Sequence, residues 1–150
     1  AGSKSFVSLT ADTTLTVATH AGRLLLTNDA DGKITLPSIV ATTPTDPTDP
    51  GQTNNIGAQF TFVVETVATD MDILTDGTDK FVGGLYFGKS DAAGKTFLSG
   101  ASNDVITLNG TTKGGIVGTT IVVTAMASAK YHVTGLVLAS GTVVTPFADA

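Results

Sequence analysis

The chain has 150 residues, enough for one domain with a substantial core, and no cysteine, which excludes disulfides and thiolate metal sites. Its net charge is −5 with a single arginine, Arg23, so it lacks the clustered basic surface that nucleic acid or an anionic membrane requires. Charged residues make up only 14 %, against a usual share of roughly 25 %, and part of the surface is therefore expected to be covered by copies of the chain or by a partner.

The acids are lopsided: Glu65 is the only glutamate, and aspartate, a turn and cap residue, supplies the rest. Threonine and valine are abundant and favour strands, and 17 glycines supply turns and bulges. These preferences predict an all-β chain with little or no helix. There is no long apolar run and no signal peptide, and the small polar start Ala1–Ser5 reads as a mature terminus after loss of an initiator methionine. Synthesis in the cytoplasm is the expectation.

In chain order, Ser5 to Leu9 is a short strand and Thr13 to Ala18 a second, alternating one. Gly22 to Thr27 carries three consecutive leucines and suits a central strand. Asn28-Asp29-Ala30-Asp31-Gly32 then has strong turn chemistry, and Lys33 to Leu36 resumes before Pro37, so Arg23 to Leu36 reads as a hairpin. Residues 38–56 hold three prolines among threonines and aspartates, which cannot sit inside a sheet and form a thrown-out loop. Ala58 to Glu65 alternates cleanly, with Phe60, Phe62 and Val64 on one face. Met71 to Leu74, Phe81 to Phe87, Lys95 to Leu98 and Asp104 to Leu108 follow. Asn109-Gly110 is the strongest short hairpin signal. Gly118 to Ala125, Tyr131 to Leu138 and Thr142 to Thr145 close the series, with Thr124 to Lys130 as the one helical alternative. About ten short strands at this spacing predict a single antiparallel, jelly-roll-like β-sandwich over residues 1–150. An N-terminal arm spans about 1–10 and the Pro/Asp loop about 38–56.

The motifs that could carry chemistry each lack a part. Asn28–Gly32 offers alternating carboxylates, but the late bidentate glutamate of a calcium loop is replaced by Ile34, Thr35 and Leu36, so a turn is expected; Thr75–Asp79 reads the same way. Gly88–Thr96 imitates a phosphate loop, but the first glycine is displaced by one position and no helix follows. His20 and His132 are the only histidines, and no Gly-x-Ser-x-Gly elbow accompanies them. Asn109-Gly110-Thr111 is a glycosylation sequon that reads as a turn in a chain without a secretory signal. Phe81, Tyr86 and Phe87 suit core or interface better than a sugar platform. No catalytic, cofactor or metal residue is expected, and the chain is not expected to be an enzyme.

Three segments resemble a family of small β-rich bacteriophage virion proteins that decorate heads or build fibres. Leu9 to Pro37 has a threonine-rich entry, a leucine strand, an Asn/Asp/Gly turn and a strand ending in Leu-Pro; Gly57 to Glu65 opens with small and polar residues before Phe-x-Phe; Tyr131 to Phe147 places an aromatic-x-Val-x-Gly strand before a short closing segment. The loop at 44–51 departs from the pattern. The resemblance implies a capsid decoration (cement) protein on the virion surface, a homotrimer bound to the major capsid protein, with no cofactor. A tail- or head-fibre module that recognises host glycans through Tyr86 or Tyr131 is the alternative. The contact segments expected on this reading are Ala1 to Thr10, the 44–51 loop and the C-terminal tail.

Overall fold

The computed structural model describes residues 5–41 and 54–150. It is a two-sheet β-sandwich of twelve strands with one turn of helix, and it is not a closed barrel. β1 (Phe6–Leu9), β3 (Leu24–Thr27), β5 (Gln59–Val64), β7 (Lys80–Lys89), β8 (Ala92–Leu98), β10 (Thr120–Ala127) and β11 (Lys130–Leu138) make a seven-stranded sheet in the order β1-β3-β5-β10-β11-β7-β8. β2 (Thr13–Thr14), β4 (Lys33–Thr35), β6 (Met71–Leu74), β9 (Val105–Leu108) and β12 (Phe147–Ala148) make a five-stranded sheet in the order β12-β9-β6-β4-β2.

The all-β sandwich follows the sequence, but its pairing is mixed rather than wholly antiparallel. The first six strands alternate between the sheets, so β1, β3 and β5 lie parallel in one while β2, β4 and β6 run in the other, with β2–β4 and β4–β6 parallel. The chain winds through this half as three coils. The expected hairpin at Arg23–Leu36 is thus absent: β3 and β4 belong to different sheets, and Asn28–Gly32 is the corner that carries the chain across. Asn109-Gly110 is likewise a crossing from β9 to β10, not a hairpin turn. Its chemistry is local all the same. Asn109 Oδ1 accepts from the amides of Thr111 and Lys113, both at 2.9 Å, and Gly110 has φ +84°. Among the described residues the hairpins that form are β7–β8 and β10–β11. The second occupies the stretch where a helix was the alternative, with Ala129 at φ +60° as its turn residue.

Two further expectations are corrected. The expected strand Thr13–Ala18 stops after Thr14 and becomes the helical turn α1 (Val17–His20), because the Thr16 hydroxyl accepts from the Thr19 amide as an N-cap. The last strand is Phe147–Ala148 rather than Thr142–Thr145, since Phe147 is the residue with an apolar surface to bury against Phe81, ring centroids 6.4 Å apart.

The core lies between the sheets and is built by alternation. Phe60, Phe62 and Val64 on β5 face Ile34 on β4 and Ile73 on β6, and Leu25, Ile121, Tyr131, Phe81, Leu85, Phe87, Ile106 and Leu108 join the same cluster. Tyr131 is fully buried and keeps its hydroxyl satisfied by donating to the Pro37 carbonyl. Burial, then the negative charges of Asp79 and Asp76, push that phenol well above its usual range.

Candidate interaction surface

Most residues with catalytic or ligand-binding potential are engaged in holding the fold. His20 closes α1 and is buried, its Nδ1 accepting from the Thr16 amide at 3.0 Å; burial, with Arg23 nearby, lowers its basicity. His132 lies elsewhere, exposed on the outer face of β11. Asp29 and Asp31 share a hydrogen bond that raises the Asp29 carboxyl, and among the described residues no group of three or more His, Cys, Asp or Glu could hold a metal ion. Asp76 accepts from the amides of Thr78 (2.9 Å) and Asp79 (3.0 Å) and from the Ser38 hydroxyl (2.7 Å). Burial alone would raise its carboxyl, but those donors outweigh it and hold it below the usual range. Asp79 is more deeply buried; burial raises it although it accepts from the Ile39 amide at 2.9 Å.

These two aspartates, with Asn55, fix the base of the Pro/Asp segment. Asn55 accepts from the Val40 amide (2.7 Å), donates to the Ser38 carbonyl (2.9 Å) and sends its own amide to the Val40 carbonyl (2.9 Å). The 44–51 loop and residues 1–4 of the N-terminal arm lie outside the described residues. The rest of that arm is not free, because Phe6–Leu9 is the edge strand β1. The C-terminal tail is built in as well: the Ala150 amide donates to Asp104 Oδ1 at 2.8 Å.

Asp104 also holds Lys80 Nζ at 2.9 Å. Burial would raise this carboxyl, but Lys80 and the Ala150 amide outweigh it and hold it below the usual range. A carboxyl lowered by folding contributes stability above its unfolded value, near pH 4, and that contribution drains away as pH falls through the lower folded value. Asp104→Asn is expected to cost about 1–3 kcal/mol at neutral pH and to flatten the decline below about pH 4. Urea unfolding from pH 2 to 7 measures both, and an unchanged acid limb would show that the pair does not couple to folding.

The phosphate-loop imitation resolves into the β7–β8 hairpin, with Lys89 paired to Ala92 and Asp91 at φ +59°. Gly94 makes room for Tyr86, while a side chain at Gly88 would meet only ordinary contacts. A Cβ on Gly94 would lie 2.5 Å from the Tyr86 hydroxyl, and one on Gly88 would lie 3.4 Å from Leu136 and 3.9 Å from the Tyr86 ring. The ring therefore lies along the sheet, 49 % exposed, while Phe81, Phe87 and Tyr131 are core. The notion of Tyr131 as an exposed aromatic is thereby corrected.

What remains as a surface is the outer face of the seven-stranded sheet. One registered row crosses it from Ser8 through Leu26, Val63, Thr120, Leu136 and Tyr86 to Thr96. The next runs Phe6, Leu24, Thr61, Val122, Thr134. No aspartate or glutamate lies in any strand of this sheet, and its lysines sit toward strand ends or on the edge strand β8. The eleven acids among the described residues all lie elsewhere, in corners, loops and the five-stranded sheet. Where the face meets the β7–β8 turn it continues into an open groove of about 960 Å³ floored by Ile116, Leu136, Leu138 and Ala139. Lys89 spans its rim to the Gly141 carbonyl at 3.1 Å. Among the described residues the arrangement offers a broad face without acidic side chains. No family model, no curated protein and no solved structure matches the chain.

Proposed function

We propose that the chain is a structural protein of a bacteriophage virion, a decoration protein that binds the outside of the major capsid lattice and stabilises it. It acts by surface contact and needs no cofactor. The observation that carries this reading is the segregation of charge: in an acidic chain, every acid among the described residues lies outside the strands of the seven-stranded sheet, which leaves a face without negative charge across it. A surface layer of many copies needs such a face, because apolar and threonine-rich contact excludes water without like-charge repulsion. The resemblance of its sequence segments to virion proteins supports the same reading.

Purified protein added to capsids that lack it is expected to cosediment, to saturate at a fixed ratio to the capsid subunit and to raise the temperature at which the capsids come apart. Failure to cosediment at micromolar concentration would remove the proposal. Binding to soluble host-surface glycans instead would select a fibre module, for which the half-exposed Tyr86 ring beside the groove is the supporting feature.

A further inference from the structure

We infer that the outer face of the seven-stranded sheet is the seat of a second copy of this chain. The inference rests on the structural-protein reading for its use, and on the face itself for its argument. Seven strands about 4.8 Å apart and about five residues tall give a face roughly 30 Å by 17 Å. With side chains standing on it, its accessible area is of the order of the ~800 Å² per partner that a specific interface buries.

The face has two apolar ends and a neutral middle. Phe6 and Leu24 mark one end, 51 % and 37 % exposed; Tyr86, Leu136 and Leu98 mark the other, 49 %, 46 % and 74 % exposed. Between them the rows are mostly threonine and valine. One end of one copy can therefore cover the opposite end of the next, by a two-fold axis or around a small ring, with sheets stacked at about 10 Å.

Charge decides in favour of a copy over a different partner. A partner of opposite charge would be met by acids or by a field of lysines, and the face offers neither. A second copy carries the same −5, and the approach of two such chains is least costly on a face whose strands carry none of the acids among the described residues. Tyr86, a large ring at the apolar end with room for its hydroxyl left by Gly94, is the residue type on which such contacts concentrate.

Light scattering and sedimentation of the full chain at micromolar concentration are expected to give a multiple of 15.1 kDa, retained in 1 M salt. Tyr86→Lys and Leu136→Lys, both at half-exposed positions, are each expected to weaken association at least 100-fold with melting little changed. Val144→Lys, exposed but outside both sheets, is expected to leave it intact. Should either lysine variant fold poorly, hydroxyl-radical footprinting of the unaltered chain is the second measure: Tyr86 and Met126 are expected to become protected as concentration rises. A monomer at all concentrations, an oligomer that dissociates in high salt, or an oligomer that survives both lysine substitutions would overturn the inference. Assembly without capsid binding would leave it standing and remove the virion reading instead.

Discussion

Replacing Gly83 by alanine is expected to lower the melting temperature by about 10 °C. Gly83 is paired with Val133 where the parallel strands β7 and β11 meet, and its φ is +130°. A Cβ there would lie 2.3 Å from the Val133 carbonyl oxygen. That oxygen belongs to a central strand and cannot withdraw without opening the β7–β11 junction, and the backbone conformation is itself costly for any residue with a side chain. The two effects together amount to on the order of 3–5 kcal/mol, and about 2–4 °C per kcal/mol for a chain of this size gives the stated shift. A variant that melts within two degrees of the parent would show that β7 and β11 do not approach in this register.

Phe62→Ala is expected to cost about 3–5 kcal/mol, read as a lower urea midpoint with an unchanged slope. Phe62 is 1 % exposed and stands at the seam of the fold. Its strand has a parallel neighbour on one side, where it pairs with Leu25, and an antiparallel neighbour on the other, where it pairs with Ile121. Residues on both sides are fully buried and cannot collapse into the space the ring leaves. Amide exchange is therefore expected to quicken in β3 and β10 together. Phe97→Ala provides the contrast. That ring packs edge-on against Phe87 at 5.1 Å on the edge strand β8, is only partly buried, and should cost about 1 kcal/mol. Equal costs for the two would mean that the seam is no more tightly packed than the edge.

The strands were legible because alternation is a local property. Met71–Leu74 is found as read, and Gln59–Val64 lies within one residue of the alternating run at each end. Partners were not legible, because Asn28–Gly32 and Asn109-Gly110 announce a change of direction without saying into which sheet. Phe6 pairs with Leu24, Leu25 with Phe62 and Phe81 with Tyr131, separations no turn signal spans. The helical turn at Val17–His20 was hidden by its own residues, since Thr16 and Val17 favour strands until the Thr16 hydroxyl captures the Thr19 amide. The outer face of the seven-stranded sheet left a trace that needed the structure to interpret. Leu24-Leu25-Leu26 and Ile121-Val122-Val123 are apolar on both sides of the pleat, which marks either a strand buried on both faces or an outer face awaiting cover. Only the register, which aligns Leu24 with Thr61 and Val122, shows that their outward members form one surface.

The three-coil winding of the first half also sets the order in which the chain can fold. No two consecutive strands from β1 to β6 pair with each other, so among the described residues no hairpin stabilises the chain before residue 75. Local closure, the fast step in sheet formation, is confined to β7–β8 and β10–β11. The second of these carries β10, the antiparallel neighbour of β5, so it is the template on which the coiled half docks. β3 and β5 precede this template in the sequence, so a growing chain exposes their leucine and phenylalanine runs before the strand that covers them has been made. Refolding of these 150 residues is accordingly expected to be slow for their number, with the β10–β11 hairpin protected in pulsed amide exchange before the strands that precede it in the sequence.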